Sequence, residues 1–251
     1  MDFTGLVGHT LNGMLAPFGV RVARQGRRPT IGGRPLSDAA VIEEAGRRGL
    51  TPGEYLEILF QKPGRAREII DRMTRSGALS ESVRAVCEIG PGSGLYVQHV
   101  LARAPVTRYE IYEIERNRSE YLAATFPVIV QPADGETLRS TASSAIHLIH
   151  AHGVFVTLDF LTACSYFREM VRVTAPGGCL VFDVVTEDCL DDVALRSWLD
   201  TPLRYIAMQS RDYVCGFFQR HGFTLLDEFV RPLLVHGSSR YLVFRRDEAA
   251  A

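Results

Sequence analysis

From Arg84 onward, short apolar runs alternate with longer amphipathic stretches, the alternation produced by a parallel sheet with crossover helices. The pattern predicts strands at Ala85–Ile89, Tyr109–Ile114, Val128–Gln131, Ala145–His150 and Cys179–Val185. Helical spacing covers Leu95–Arg103, Arg118–Thr125 and Phe160–Thr174, and Pro176-Gly177-Gly178 stops the last of these before the fifth strand. A helix at Arg211–His221, C-capped by His221, a strand at Phe223–Phe229, a Pro-containing turn and a strand at Arg240–Arg245 complete the alternation. Two strands so closely joined pair antiparallel.

Before Arg84 the pattern is helical. Apolar residues from Leu6-Val7 through Leu11, Met14, Leu15 and Phe18 have helical spacing, and a Gly-, Pro- and Arg-rich loop follows from Gln25 to Pro35. Asp38 is expected to cap a helix to Arg48. Thr51-Pro52-Gly53-Glu54 reads as a capping box with proline at the first helical position, opening a helix to Gln61, and Gly64–Ser76 is a further helix. The organisation expected is a helical cap or lid over 1–80, an α/β domain over 81–246 and a disordered tail over 247–251.

At 251 residues, 46% apolar and 23% charged, the chain has enough material for one α/β domain with an accessory segment. A net charge of −1 leaves no electrostatic footprint for nucleic acid, and the arginines between Arg21 and Arg28 read as a solvated turn. The five cysteines (Cys87, Cys164, Cys179, Cys189, Cys215) are odd in number and form no CxxC pair, so they read as small buried hydrophobes in a reducing compartment. With no membrane-spanning run and no signal-peptide pattern, the expectation is a cytoplasmic protein without a membrane partner.

The chemistry concentrates in Val86-Cys87-Glu88-Ile89-Gly90-Pro91-Gly92-Ser93-Gly94-Leu95. A strand ends in an acid, then enters a loop with glycine at every second position, where main-chain N–H groups can meet a ligand without Cβ interference. A dinucleotide site requires glycine at the first, third and sixth positions, and the sixth here is Leu95. Glycine at the first, third and fifth instead resembles motif I of the class I S-adenosylmethionine-dependent methyltransferases. His150-Ala151-His152-Gly153-Val154-Phe155 and Pro176-Gly177-Gly178-Cys179-Leu180-Val181-Phe182-Asp183 follow in the family's order, so the resemblance covers residues 84 to 246. The histidine phrase and the run Phe182–Glu187 resemble the sugar O-methyltransferases of bacterial glycan and natural-product pathways.

The resemblance implies a Rossmann-like seven-stranded α/β sheet, mostly parallel, with an antiparallel C-terminal hairpin. It implies S-adenosylmethionine as cofactor, leaving as S-adenosylhomocysteine. Glu88 would organise the glycine loop near the cofactor's ammonium, and Gly90, Gly92 and Gly94 would wrap its methionine part. An acid closing the second strand would accept both ribose hydroxyls. Glu113 and Glu115 share a strand face, so periodicity leaves both in play, with Glu113 ranked first. Asp134, with Gly135, matches the acid that meets the adenine amine, although Asp-Gly is also a common turn.

At the end of the fourth strand, His152 is the candidate general base and His150 its neighbour beside the cofactor; His147 stands where the family often has an acid. Tyr55, Tyr96 and Phe155 are aromatic candidates for either cleft or core. A cation held by His150, His152 and Glu187 or Asp188 is a minority alternative, such as Mg, and no metal ligand is assigned. The function expected is O-methylation of a sugar or glycosylated small molecule. N-methylation of a small natural product and a non-catalytic partner protein are the rivals. A homodimer is left open.

Overall fold

A computed structural model describes residues 30–31, 34–35, 37–200, 206–233 and 237–248. The helix expected over Leu6–Phe18 lies outside the described residues, as does most of the Gln25–Pro35 loop. Residues 30–31 and 34–35 form a two-residue antiparallel pair.

Among the described residues three helices precede the sheet: α1 (Asp38–Arg47), α2 (Pro52–Leu59) and α3 (Arg65–Arg75). The cap of α1 is Ser37, whose side chain accepts from the Ala40 N–H, so Asp38 begins the helix instead of capping it. The Thr51/Glu54 capping box of α2 forms in both directions, with Pro52 opening the helix. α3 buries Ala66, Ile69, Ile70 and Met73, a stripe at three- and four-residue spacing.

The α/β part contains β1 (Ala85–Ile89), α4 (Leu95–Leu101), β2 (Arg108–Tyr112), α5 (Arg116–Thr125), β3 (Ile129–Val130), β4 (Ile146–Ala151) and α6 (Phe160–Val173). β5 (Thr174–Val184), α7 (Asp192–Asp200), α8 (Arg211–Arg220), β6 (Phe223–Pro232) and β7 (Ser238–Arg246) follow. The seven strands run in the order β3-β2-β1-β4-β5-β7-β6. The first five are parallel, and β7 pairs antiparallel with both β5 and β6, as the closing hairpin predicted.

Strand limits differ from the pattern in both directions. β2 ends at Tyr112, so Glu113 and Ile114 lie beyond it. β5 begins at Thr174, and the pairing with β4 skips from Thr174 to Cys179, taking up the Pro-Gly-Gly segment as an irregularity. The tail expected to be disordered starts ordered: Asp247 donates its N–H to Gly222 and accepts from the Thr224 hydroxyl. Residues 249–251 lie outside the described residues.

Alternation along the strands builds two cores. Cys87, Ile89, Ile149, Ala151 and Phe182 face Phe167, Met170, Phe217 and Phe218 of α6 and α8. On the other face, Val86, Leu148, Val181, Tyr109 and Tyr241 meet Ile69, Ile70 and Met73 of α3 with Val97 and Val100 of α4. Phe155 belongs to the first, aromatic core, and Tyr55 to a small core between α1 and α2 with Val41 and Ala45. Among the described residues no helix is long and apolar enough to cross a membrane.

α2 is drawn against α4 at Gly53, where an added Cβ would fall 2.5 Å from Leu95 Cβ. Overpacking so close a contact costs about 1–3 kcal/mol. Gly53→Ala is expected to lower the melting temperature by several degrees; an unchanged Tm would show that α2 is not held there.

Candidate functional site

The carboxyl ends of β1, β2 and β4 meet beneath α1 and α2. Parallel pairing aligns Ile89 with Tyr112 on one side and Ala151 on the other, so the three loops leave the sheet at one level. They enclose a cavity of about 310 Å³. Its walls are α1 and α2, the loop Gly90–Ser93 with Leu95 and Tyr96, Arg118 and Tyr121 of α5, and the segment from His152 to Thr157. Arg65, Ile206 and Leu233 complete it.

Of the candidate site residues singled out in the sequence, Gly90, Gly92, Tyr96 and His152 lie on this wall. Gly90 and Gly92 adopt φ of +61° and +56°, a left-handed backbone that favours glycine. A Cβ on Gly90 would strike Val154 at 2.7 Å, whereas one on Gly92 would meet nothing nearer than 4.0 Å. The loop therefore leaves open space above Gly92. Gly94 sits behind it, packed against Leu122 and Phe126.

The two candidate ribose acids separate. Glu113 is buried, and its carboxylate accepts from the Gly92 N–H at 3.0 Å and the Glu115 N–H at 2.9 Å. Glu115 is exposed at the N-cap of α5 and makes no side-chain capping bond. Asp134 is spent on its own turn. It accepts from the N–H groups of Glu136 and Thr137 and the Thr137 hydroxyl, and pairs with Arg139. Burial works against its charge, but those bonds prevail and hold its carboxyl well below the usual range. Gly135 stands beside the exposed Ile114, 3.8 Å from where a Cβ would sit.

Glu88 is not on the cavity wall. It is 1% exposed and points into the α3/α4 face, where the Tyr109 hydroxyl lies 2.7 Å from its Oε2. Burial pushes its carboxyl up to about 8; the Tyr109 bond opposes this and the Glu113 charge adds to it. The same Tyr109 hydroxyl is 2.9 Å from His150 Nε2, and His150 Nδ1 is 3.1 Å from His152 Nε2. His152 is half-buried, stacked on Tyr96 with ring centroids 3.5 Å apart, and its Nδ1 is 3.3 Å from the Tyr241 hydroxyl. Burial brings His150 down to about 3. Burial, then His150 and Arg65, carry His152 well below its ordinary value. Both imidazoles are neutral at physiological pH, and the titration near neutrality expected for His152 is lost.

His147 is structural: its Nδ1 accepts from the Arg84 and Ala85 N–H groups at the start of β1. Asp188, a ligand in the minority cation alternative, is occupied by Arg240 and the Thr186 hydroxyl. Among the described residues no group of three or more His, Cys, Asp or Glu side chains converges to hold a metal ion.

Sequence reasoning missed three wall residues that carry charge. Arg65 donates to the Tyr96 hydroxyl at 3.1 Å and to the Pro232 carbonyl at 3.1 Å. Glu57 accepts from the Gly64 and Ala66 N–H groups at 2.8 and 2.7 Å, fixing the start of α3. Arg118 bonds Asp38 at 3.1 Å, tying α5 to α1 across the cavity. An Arg immediately after Gly64 at a helix start was a signal for the first; the others need the tertiary structure.

A methyltransferase-domain family model matches residues 60–228. Among solved structures, magnesium protoporphyrin IX methyltransferase (ChlM) from Synechocystis PCC 6803, crystallised with S-adenosylhomocysteine, aligns over 97% of this chain and 100% of its own. It is 12% identical, with a TM-score of 0.55. The N-methyltransferase NodS from Bradyrhizobium japonicum WM9, also with S-adenosylhomocysteine, is 18% identical over 71% of this chain and 87% of its own, with a TM-score of 0.51. A proposed sarcosine dimethylglycine methyltransferase from Galdieria sulphuraria is 14% identical over 94% and 97%, with a TM-score of 0.57. No curated protein matches the sequence.

The raised proton affinity of Glu88 makes a stability prediction. Its carboxyl is protonated in the fold up to about pH 8 but ionises near 4.5 when unfolded, so its contribution is full below 4.5 and is lost as pH rises to about 8. The slope from one such group is about 1.4 kcal/mol per pH unit. Glu88→Gln removes it, so the variant's Tm relative to wild type is expected to climb between those two limits and then level. A constant offset would show that Glu88 keeps an ordinary carboxyl.

Proposed function

The chain belongs to the class I S-adenosylmethionine-dependent methyltransferases, and we propose that its acceptor is a hydroxyl group of a sugar or glycosylated small molecule. The observation that carries this reading is His152, an uncharged imidazole on the cavity wall, held face-on by Tyr96 beside the glycine loop. A neutral hydroxyl is a weak nucleophile, so it needs a group to receive its proton as attack develops. Of the two ring nitrogens, Nε2 is held by His150 at 3.1 Å and Nδ1 by Tyr241 at the looser 3.3 Å, so Nδ1 is the one an acceptor hydroxyl would displace into.

The residues fit the cofactor. The open space above Gly92, the positive φ of Gly90 and Gly92 and the buried carboxylate of Glu113 suit a ligand with an amino-acid end and a ribose diol. In this reading Gly90, Gly92 and Gly94 form the bed for the methionine part and Glu113 accepts the ribose hydroxyls. Ile114, Gly135 and the Asp134 turn border the adenine. When bound, S-adenosylmethionine supplies a methyl group already activated on a sulfonium, and it leaves as S-adenosylhomocysteine. The chain's task is orientation, exclusion of water by α1 and α2, and reception of a proton at His152 Nδ1.

A second reading is an amine acceptor. The low proton affinity of His152 favours it, because an amine attacks as its free base and asks less of a general base.

His152→Ala is expected to lower kcat on a hydroxyl acceptor by ~10²–10⁴-fold. Calorimetric titration should show S-adenosylhomocysteine affinity preserved in the same variant. Retained turnover would move the assignment to an amine. Glu113→Ala is expected to weaken S-adenosylhomocysteine binding by about tenfold or more, roughly 1.4 kcal/mol; unaltered affinity would remove Glu113 from the cofactor site.

A further inference from the structure

An unbroken chain of hydrogen-bonding side chains runs from the cavity wall into the sheet. Glu88 Oε2, Tyr109 Oη, His150 Nε2 and Nδ1, then His152 Nε2 and Nδ1, are linked at 2.7, 2.9 and 3.1 Å in succession. Three neighbouring strands contribute them on one face, and Glu88, Tyr109 and His150 are at most 1% exposed. Each link holds one proton, so the directions of all the links are coupled.

With Glu88 ionised, Tyr109 donates to it and must accept from His150 Nε2–H. His150 Nδ1 then accepts from His152 Nε2–H, and the lone pair of His152 Nδ1 accepts from the Tyr241 hydroxyl, 3.3 Å away, until an acceptor hydroxyl takes that place. With Glu88 protonated, every link reverses and His152 carries its hydrogen on Nδ1. The two states differ by one proton.

We propose that Glu88, Tyr109, His150 and His152 are a proton relay that takes the acceptor's hydroxyl proton at His152 Nδ1 and stores it on Glu88. This rests on the hydroxyl-acceptor reading. As the acceptor oxygen gains its bond to the methyl carbon, its proton passes to His152 Nδ1. The Nε2 proton of His152 goes to His150 Nδ1, that of His150 goes to the Tyr109 oxygen, and the Tyr109 proton goes to Glu88 Oε2. The methyl's bond to the sulfonium sulfur breaks as its bond to the acceptor oxygen forms, and within the relay only these N–H and O–H bonds change. Each histidine surrenders a proton as it gains one, so neither has to remain charged in a site that disfavours imidazolium. Within the relay only Glu88 changes charge, from carboxylate to carboxylic acid. His152 is the catalytic residue; the other three act through it.

The relay is ready only when Glu88 is ionised. The groups facing Glu88 are Tyr109 from β2, His150 from β4, whose Nε2 is 3.8 Å away, and Glu113 beyond β2. Those facing His152 are His150, Tyr96 of α4, Arg65 of α3 and Tyr241 of β7. Glu88 sheds its proton near pH 8, so readiness rises through that value.

The test is a two-bond ¹H–¹⁵N spectrum of the histidine-labelled full chain saturated with S-adenosylhomocysteine, from about pH 6 to about pH 10. His150 and His152 are expected to change together from Nδ1–H to Nε2–H tautomers around one midpoint, both neutral throughout. Tyr109→Phe, which deletes the bridging oxygen, is expected to abolish the switch. Glu88→Gln should do the same and serves if the first variant does not fold. Tautomers that stay fixed across the range, a ring titrating alone to imidazolium, or a switch that survives both substitutions would overturn the relay. Failure of the hydroxyl-acceptor reading shows differently, as full turnover in His152→Ala while the wild-type switch persists.

Discussion

The register of β1 between β2 and β4 is the constraint on which the site depends. Glu88 is paired with Ile111 on one side and His150 on the other. Side chains alternate along a strand, so a slip of one residue in either pairing would turn the partner's set to the opposite face. The Tyr109 hydroxyl would then leave the acid and the imidazole it joins, and His152 would lose its place beside the glycine loop. The apolar pattern enforces the register: Cys87 and Ile89 must face the phenylalanine core while Val86 faces α3 and α4.

That register also explains how polar groups can be buried so deeply. A buried polar group without a partner costs roughly 1–3 kcal/mol. Here each group on the α3/α4 face meets the next: Glu88 and His150 through Tyr109, and His152 through Tyr241 and Tyr96. Asp183 accepts from the Gly153 N–H and the Ser239 hydroxyl, anchoring the loop that carries His152. Burial raises the Asp183 carboxyl, against the pull of Arg65 and these two donors. The set is joined at Tyr109, whose removal would leave both Glu88 and His150 Nε2 without the hydroxyl they share.

Much of the framework was legible in the chain itself because local rules determine it. The glycine spacing after β1, the Thr51/Glu54 capping box and the closing hairpin each depend on residues within a few positions of one another, and each is found where the pattern places it. The site was legible only as far as its loops. That Glu88 faces Tyr109 and not the cavity follows from a diagonal neighbour across two strands, which no single-strand period reveals. Tyr96 and Tyr55 look alike as aromatic residues on helices. One stacks on His152 and the other fills the gap between α1 and α2, a difference set by helix packing alone. Asp134 shows the opposite case, a local turn whose own donors occupy the acid.

The pairing of charges around the cavity has a kinetic consequence. Among the described residues its wall carries two arginines, Arg65 and Arg118, and two acids, Glu57 and Asp38, with Arg118 bonded to Asp38 and Glu57 taken up by the N-terminus of α3. Such a wall projects little field beyond itself, so long-range attraction contributes little to capture of an acceptor. Molecules reach the opening by unbiased diffusion, and ionic strength, which governs steered encounters, has little hold over how fast the opening is filled.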